Sequence, residues 1–246
     1  MTQAIRITVA KTAGSVPRDA GTQMLVWADR IEGTIGGGAL EWDAIARARQ
    51  MLRESKTVQS ATIPLGPALG QCCGGSVGLV WEAAEVLTAA PARPLWIYGA
   101  GHVGRALVNV MDPLPDFDIT WVDTRADRFP QTNVTTLVAT DPAQVVKHAP
   151  DDADHLIVTY SHEIDLALCH AVLSHQFHTV GLIGSATKWA RFKSRLTALG
   201  HPPAQIARIA CPIGDPSLGK HPTAIALGVA TAMIKPSARQ SKDRSA

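Results

Sequence analysis

The sequence predicts an α/β protein in which a small N-terminal α+β module precedes a Rossmann-like parallel-sheet domain. Three observations lead there. Beyond residue 95, short apolar runs of strand composition alternate with helical patterns, as they do in a parallel sheet covered on both faces. Gly99, Gly101 and Gly104 stand in G-x-G-x-x-G spacing between one such run and a helical pattern. Before residue 89, segments of β-type composition surround a single stretch whose apolar residues recur at three-four spacing. The halves meet at AAPARP, 89–94, where prolines and small residues interrupt both patterns. This sets modules at residues 1–88 and 95–234 and leaves 235–246, KPSARQSKDRSA, as an expected flexible tail.

In the first module IRITVAKT and QMLVW are predicted strands, joined through GSVPRDAG, whose glycines and proline form turns. GTIGGGALEWDAIARARQML then changes period. Leu40, Ala44, Ile45, Ala48 and Leu52 share one helical face, so a helix is expected to begin just after Gly38. TVQSATI and SVGLVWE read as further strands, connected by GPALGQCCGG. In the second module PLWIY is a strand, the glycine turn and a helix follow, and DITWVDTR is a second strand ending at Asp123. TTLV, HLIVTYS and TVGLIGS continue the sheet, interleaved with helical IDLALCHAVLS and TKWARFKSRLTAL. The apolar helix HPTAIALGVATAMI closes the domain.

Composition excludes several function classes. Lys and Arg number 23 against 21 Asp and Glu, a formal net charge of +2, too even for the basic stripe that nucleic-acid binding needs. No apolar run reaches membrane-spanning length, and MTQAIRITVAKT lacks a basic segment followed by an apolar core, so a cytoplasmic protein with no membrane partner is expected. Four cysteines are no disulfide framework, and adjacent Cys72 and Cys73 read as free thiols.

In the glycine turn, Gly99 permits the tight bend, Gly101 lets the backbone approach a phosphate, and Gly104 allows the helix to pack closely on the strand. The helix N-terminus offers N–H groups to an anion, and Asp123 is placed to accept a hydrogen bond from a ribose hydroxyl. His102 either sets an imidazole beside a bound phosphate or is a surface histidine. Gly36, Gly37 and Gly38 precede a helix and form either a second anion nest or a tight turn with close backbone packing. Cys72 and Cys73, preceded by Gln71 and wrapped in glycine, are accessible to a soft metal or to sulfur. Zinc is disfavoured, because neither a C-x-x-C nor a close histidine completes the set. His162, His170, His175 and His178 read as surface or packing residues. CPIGDPSLGKHP, with Asp215, Lys220 and His221, is either a ligand-bearing loop at the carboxyl edge of the sheet or a plain connector.

Taken together, GSVPRDAGTQMLV, GTIGGGALE, GPALGQCCGG, LWIYGAGHVGRAL, VDTR, YSHEIDL, VGLIGSATKWARF and CPIG near GKHPTAIAL resemble the XdhC/CoxI family, whose members mature xanthine dehydrogenase and related molybdenum hydroxylases. The matching pieces run in order along nearly the whole chain. The resemblance implies an XdhC/CoxI module followed by a Rossmann-like module, and an accessory chaperone rather than a catalyst. It implies binding of the molybdenum cofactor, in its molybdopterin form or as a dinucleotide, and its protection while a cysteine desulfurase installs the sulfido ligand. Delivery to the apo-enzyme of a xanthine dehydrogenase-type hydroxylase follows, with a homodimer as the expected assembly. On this basis the glycine turns would accept phosphate, and Cys72 or Cys73 would supply a soft ligand near molybdenum. The GQCCGG loop would then face the crevice at the ends of the Rossmann strands.

Two other classes are compatible with parts of the sequence. An NAD(P)-dependent oxidoreductase would use the same turn with Tyr160, His162 or Lys188 as proton donor, although no Tyr-x-x-x-Lys pair is present. A thiol redox sensor would use Cys72 and Cys73 but gives no reason for the glycine turn.

Overall fold

The computed structural model describes residues 4–66, 74–87 and 92–234. Two compact units divide the chain, Met1–Ala90 and Pro91–Ala246. Among the described residues no helix is long and apolar enough to cross a membrane.

Among its described residues the first unit is a five-stranded antiparallel sheet with one helix. Its strands are β1 (Ala4–Ala13), β2 (Gln23–Val26), β3 (Ile31–Gly33), β4 (Val58–Pro64) and β5 (Ser76–Ala84), and helix α1 spans Gly38–Glu54. They pair in the order β3-β2-β1-β5-β4. Alternation in β1 sends Ile5, Ile7 and Val9 to one face, where they meet Leu40, Ala44, Ile45, Ala48 and Met51 of α1. Trp81 of β5 is wholly buried in this layer and donates its indole N–H to the Ala44 carbonyl at 3.1 Å. The edge strand β3, three residues long and exposed throughout, carries no apolar alternation and was not expected from the residue pattern.

The second unit is a six-stranded parallel sheet. Strands β6 (Arg93–Tyr98), β7 (Phe117–Asp123), β8 (Thr135–Val138), β9 (Asp154–Ile157), β10 (Thr179–Leu182) and β11 (Ile209–Ala210) lie in the order β11-β10-β9-β6-β7-β8. Helices α2 (His102–Met111), α3 (His162–Leu173), α4 (Ala186–Ala198), α5 (Pro203–Ile206) and α6 (Pro222–Ile234) accompany it. Leu95, Ile97, Ile119 and Trp121 turn to one face and pack with α2 and α6. Trp96, Tyr98, Val122 and Ile157 turn to the other and pack with α3 and α4. The α/β class expected from the sequence is therefore the observed one. Strand order reverses between β6 and β9, so the crevice at a switch point opens beside the end of β6.

Two elements differ from expectation. Between β8 and β9 the chain forms a 3-10 helix over Pro142–His148, capped by Asp141, which accepts the Ala143 N–H at 3.1 Å. HLIVTYS does not run through as a strand. β9 stops at Ile157, because Thr159 and Ser161 turn to serve the start of α3: Ser161 Oγ accepts the amides of Glu163 and Ile164 at 3.2 and 3.4 Å.

Candidate functional site at the carboxyl edge of the parallel sheet

Each glycine of the turn after β6 has a distinct duty. Gly99 has φ +112°, and a Cβ on it would stand 2.6 Å from the Val158 carbonyl oxygen. A Cβ on Gly104 would stand 1.8 Å from the Gly99 oxygen, so α2 sits on the strand end at a distance only glycine allows. Gly101 differs: nothing lies within 4 Å of where its Cβ would be. It is the N-cap of α2, and no side chain caps that helix. A bare helix N-terminus beside open space is a place an anion fits. His102 is exposed in the first turn of the same helix.

Asp123, at the end of β7, is 3% exposed. Its Oδ2 accepts the Ala100 amide at 2.6 Å, and its Oδ1 accepts the Thr124 amide at 2.6 Å and the Thr124 hydroxyl at 3.2 Å. The Arg128 guanidinium lies 3.5 Å from Oδ1. The carboxylate thus fastens the glycine turn to β7, and a ribose hydroxyl has to compete with these donors. The rim here is basic. Arg128 stacks over the exposed Tyr160 ring at 4.4 Å, and Arg105 donates to the Arg128 carbonyl at 2.7 Å.

Beneath the loops that follow β9 and β10 lies a buried ion pair. Lys188 Nζ donates to Asp165 Oδ2 at 2.5 Å and to the Ile183 carbonyl at 2.8 Å. Asp165 Oδ1 accepts the Thr159 hydroxyl at 2.6 Å and its amide at 3.2 Å. The pair ties the crossover loop after β9 to α3 and α4. Cys211 borders it: a Cβ on Gly184 would be 3.2 Å from its sulfur and 2.9 Å from Lys188 Cδ. Burial pushes the Cys211 thiol up, against the downward pull of Lys188, so it stays protonated at neutral pH. Cys169 is fully buried and is pushed up by the same cause.

The remaining predicted residues fall elsewhere. Gly36, Gly37 and Gly38, in the first unit, all have positive φ, and a Cβ on Gly36 would meet Pro17 at 2.7 Å. Their nest holds an anion that belongs to the chain itself. Glu41 Oε2 accepts the amides of Ile35 and Gly37 at 2.9 and 3.0 Å and the Thr34 hydroxyl at 2.5 Å. Burial raises the Glu41 pKa, but the hydrogen bonds from Thr34, Gly37, Ile35 and Gly36 outweigh it and hold the carboxyl below its ordinary value. Gln71, Cys72 and Cys73 lie outside the described residues. Among the described residues no three His, Cys, Asp or Glu side chains come together as a metal site.

The histidines pack as expected. His170 Nδ1 meets His201 Nε2 at 2.7 Å, His178 meets Asp154 at 2.8 Å, and His162 stands edge-on to Phe192. In the loop after β11, Asp215 Oδ1 accepts the Ser217 amide and hydroxyl at 2.9 and 2.7 Å, and His221 Nδ1 accepts the Thr223 amide at 3.3 Å. The sequence did not reveal the Asp165–Lys188 pair, whose members are far apart along the chain and carry no spacing signal.

Residues 95–233 match the family description "XdhC Rossmann domain", and residues 2–61 match "XdhC and CoxI family". The chain belongs to the XdhC/CoxI family. This XdhC-family chain is 29% identical over 238 residues to the uncharacterized protein YqeB of Escherichia coli K12, covering 92% of itself and 42% of that relative. It therefore spans less than half the length of that curated relative. A crystal structure described as a xanthine dehydrogenase from Bacillus halodurans superposes with a TM-score of 0.81 at 19% identity, over 100% of this chain and 94% of the other. That likeness shows a shared fold.

Proposed function

We propose that this chain is an accessory protein in the maturation of a xanthine dehydrogenase-type enzyme, one that binds the molybdenum cofactor, shields it during sulfuration and passes it to the apo-enzyme. Family membership supports the accessory role. The observation that carries the binding step is the turn at Gly101: an uncapped helix N-terminus, next to open space, at the switch point of a parallel sheet. Every form of the cofactor carries at least one phosphate; here the chain's own Asp123 takes the Ala100 amide and leaves the helix N-terminus at Gly101 uncapped by any side chain, whereas at Gly36–Gly38 Glu41 fills the nest itself. Cys72 and Cys73 are the proposed soft contacts for molybdenum, and a cysteine desulfurase and the apo-hydroxylase are the proposed partners. The cargo leaves again, so a few polar contacts suit it better than a closed cage.

An NAD(P)-dependent oxidoreductase draws less support. Lys188, which that chemistry would enlist as a proton donor, is buried and spent on Asp165, and Tyr160 lies under Arg128. The deciding experiment purifies the chain from a molybdenum-replete host and assays pterin and molybdenum in the product. Anaerobic titration with the cofactor then compares the native chain with Gly101→Val and with Cys72→Ala and Cys73→Ala. The proposal requires pterin and molybdenum to accompany the native chain and Gly101→Val to bind less. A chain that carries neither and binds neither, yet changes NADH fluorescence, belongs to the oxidoreductase class.

A further inference from the structure

A cavity of about 540 Å³ runs from the amino edge of the parallel sheet along the face covered by α6. Arg93, Asp154 and Thr179, which line its mouth, are the first residues of β6, β9 and β10, so this mouth lies at the sheet edge opposite the glycine turn. Leu156, Ile213 and Met233 make an apolar wall. Ile213 closes over Gly181, where a Cβ would stand 2.5 Å from its Cγ2, so the interior is narrow. A cavity of this size holds a small ligand.

The mouth is acidic and its buried carboxylate is only half satisfied. Asp154 is wholly buried, and its Oδ1 accepts from His178 at 2.8 Å and from the Thr179 hydroxyl at 2.5 Å. Its Oδ2 receives no hydrogen bond. Arg93 Nη1 stands 3.4 Å from Oδ2 without making one; the same guanidinium stacks on Phe117 and donates through Nη2 to the Met233 carbonyl. Asp116, next to the start of β7, and Asp152, two residues before β9, are exposed at the mouth, and neither is ion-paired among the described residues. Three carboxylates against one guanidinium leave the lining negative whether or not His178 carries a proton. A buried carboxylate oxygen without a donor is costly, and a cationic N–H relieves that cost best, because charge-assisted hydrogen bonds are roughly twice as strong as neutral ones.

We infer that this cavity binds a small organic cation, an ammonium or amidinium group on an apolar body, with one N–H donated to Asp154 Oδ2 and the body lying along Leu156, Ile213 and Met233. The carboxylates of Asp116 and Asp152 draw the cation to the mouth and repel a phosphate or a carboxylic acid. On entry the cation takes the place of the Arg93 guanidinium. That side chain is 39% exposed and swings toward Asp116, whose carbonyl already accepts the Arg93 amide at 2.8 Å. An ion contact without a hydrogen bond is thereby exchanged for a hydrogen-bonded one, and Arg93 gains a carboxylate that had no partner. The site is separate from the proposed cargo berth at Gly101, and the two stand or fall independently.

Calorimetric titration of the full chain tests this with benzamidine for the amidinium head and n-hexylamine for the ammonium, each beside its neutral counterpart, benzamide and n-hexanol. At least one cation binds about tenfold or more tightly than its counterpart, and the stronger arm identifies the head group. Asp154→Asn, which places an amide N–H or a weaker acceptor at Oδ2, lowers the affinity for that cation about tenfold or more. Ala232→Phe keeps Asp154 and fills the mouth from an exposed position on α6, so loss of binding with an unchanged melting temperature separates occupancy from misfolding. No binding of either cation, equal binding of the neutral counterparts, or indifference of a folded variant to either substitution overturns the inference. Cofactor retention in the Gly101→Val experiment is unaffected by any of these results.

Discussion

The Asp123 carboxylate and the Ala100 amide are joined by a 2.6 Å hydrogen bond that closes the glycine turn onto the end of β7. Asp123 is buried and accepts two further hydrogen bonds from Thr124. Removing it leaves the Ala100 amide, 1% exposed as a residue, without an acceptor. Asp123→Ala is expected to lower stability by about 1–3 kcal/mol in urea denaturation, the cost of stranding buried donors. Asp123→Asn keeps one acceptor oxygen and is expected to fall between. A variant as stable as the native chain would show that the turn holds itself.

Gly101 and Gly104, three residues apart, are predicted to fail in opposite ways. A Cβ on Gly104 collides with the Gly99 carbonyl, so Gly104→Ala forces α2 off the strand and destabilises the fold by an overpacking cost of about 1–3 kcal/mol or more. Gly101 has φ −77°, which any residue adopts, and open space beside it. Gly101→Val is expected to melt within a few degrees of the native chain. It should bind the phosphate-bearing cofactor more weakly, and equal retention of cofactor would remove this turn from the binding step.

The contrast between these glycines also marks what the sequence discloses. The spacing of Gly99, Gly101 and Gly104 after PLWIY placed the turn, α2 and the parallel sheet correctly, because backbone sterics at such a turn permit little besides glycine. The same argument at Gly36–Gly38 yielded a nest but not its occupant. Thr34 and Glu41 supply the anion and its support from the chain itself, and nothing in GTIGGGALE says whether the carboxylate folds back. Asp123 is a related case: its position predicts a ribose contact, whereas its partners, Ala100 and Thr124, depend on how the turn closes. Asp154 and Arg93 meet only because β6 and β9 are neighbours in the sheet, which local pattern does not encode.

Glu41 gives a pH signature. Its folded pKa is depressed, so the stabilisation is present above the unfolded value near 4.5 and is lost as pH falls through the folded value. Glu41→Gln is expected to cost on the order of 1 kcal/mol at neutral pH, a modest figure because the group is partly solvated. Below pH 4.5 the difference between native and variant should shrink. A difference that is constant with pH would mean the carboxylate is not what fills the nest.

His155 acts in a higher window. Burial, reinforced by His175 and opposed by Asp154, lowers its pKa to about 4, and its Nδ1 meets the Tyr98 hydroxyl at 3.1 Å. The unfolded chain therefore binds a proton that the native chain does not between pH 6.5 and about 4. Stability is full above 6.5 and declines as pH falls through this range, by up to about 1.4 kcal/mol per pH unit. His155→Phe is expected to remove this slope in denaturation curves taken from pH 7 to 4. An unchanged slope would assign the acid sensitivity to other groups.

Lys188 and Asp165 form the most demanding contact in the second unit, since neither charge reaches solvent and each depends on the other. Their side chains are 8% and 2% exposed. Lys188→Ala strands a carboxylate that then relies on Thr159 alone, and the expected loss is about 3–5 kcal/mol. Asp165→Ala strands the ammonium against the Ile183 carbonyl and is expected to cost a similar amount. Replacing both, as Asp165→Leu with Lys188→Met, removes both desolvation costs and is expected to be less damaging than either single change, so the double-mutant cycle should show a coupling of a few kcal/mol. If the pair serves only to hold the loops after β9 and β10, the double variant keeps whatever ligand binding the native chain has. Lost binding in a double variant that is stably folded would show instead that the ammonium or the carboxylate reaches the ligand, and the pair would then belong to the site rather than to its foundation.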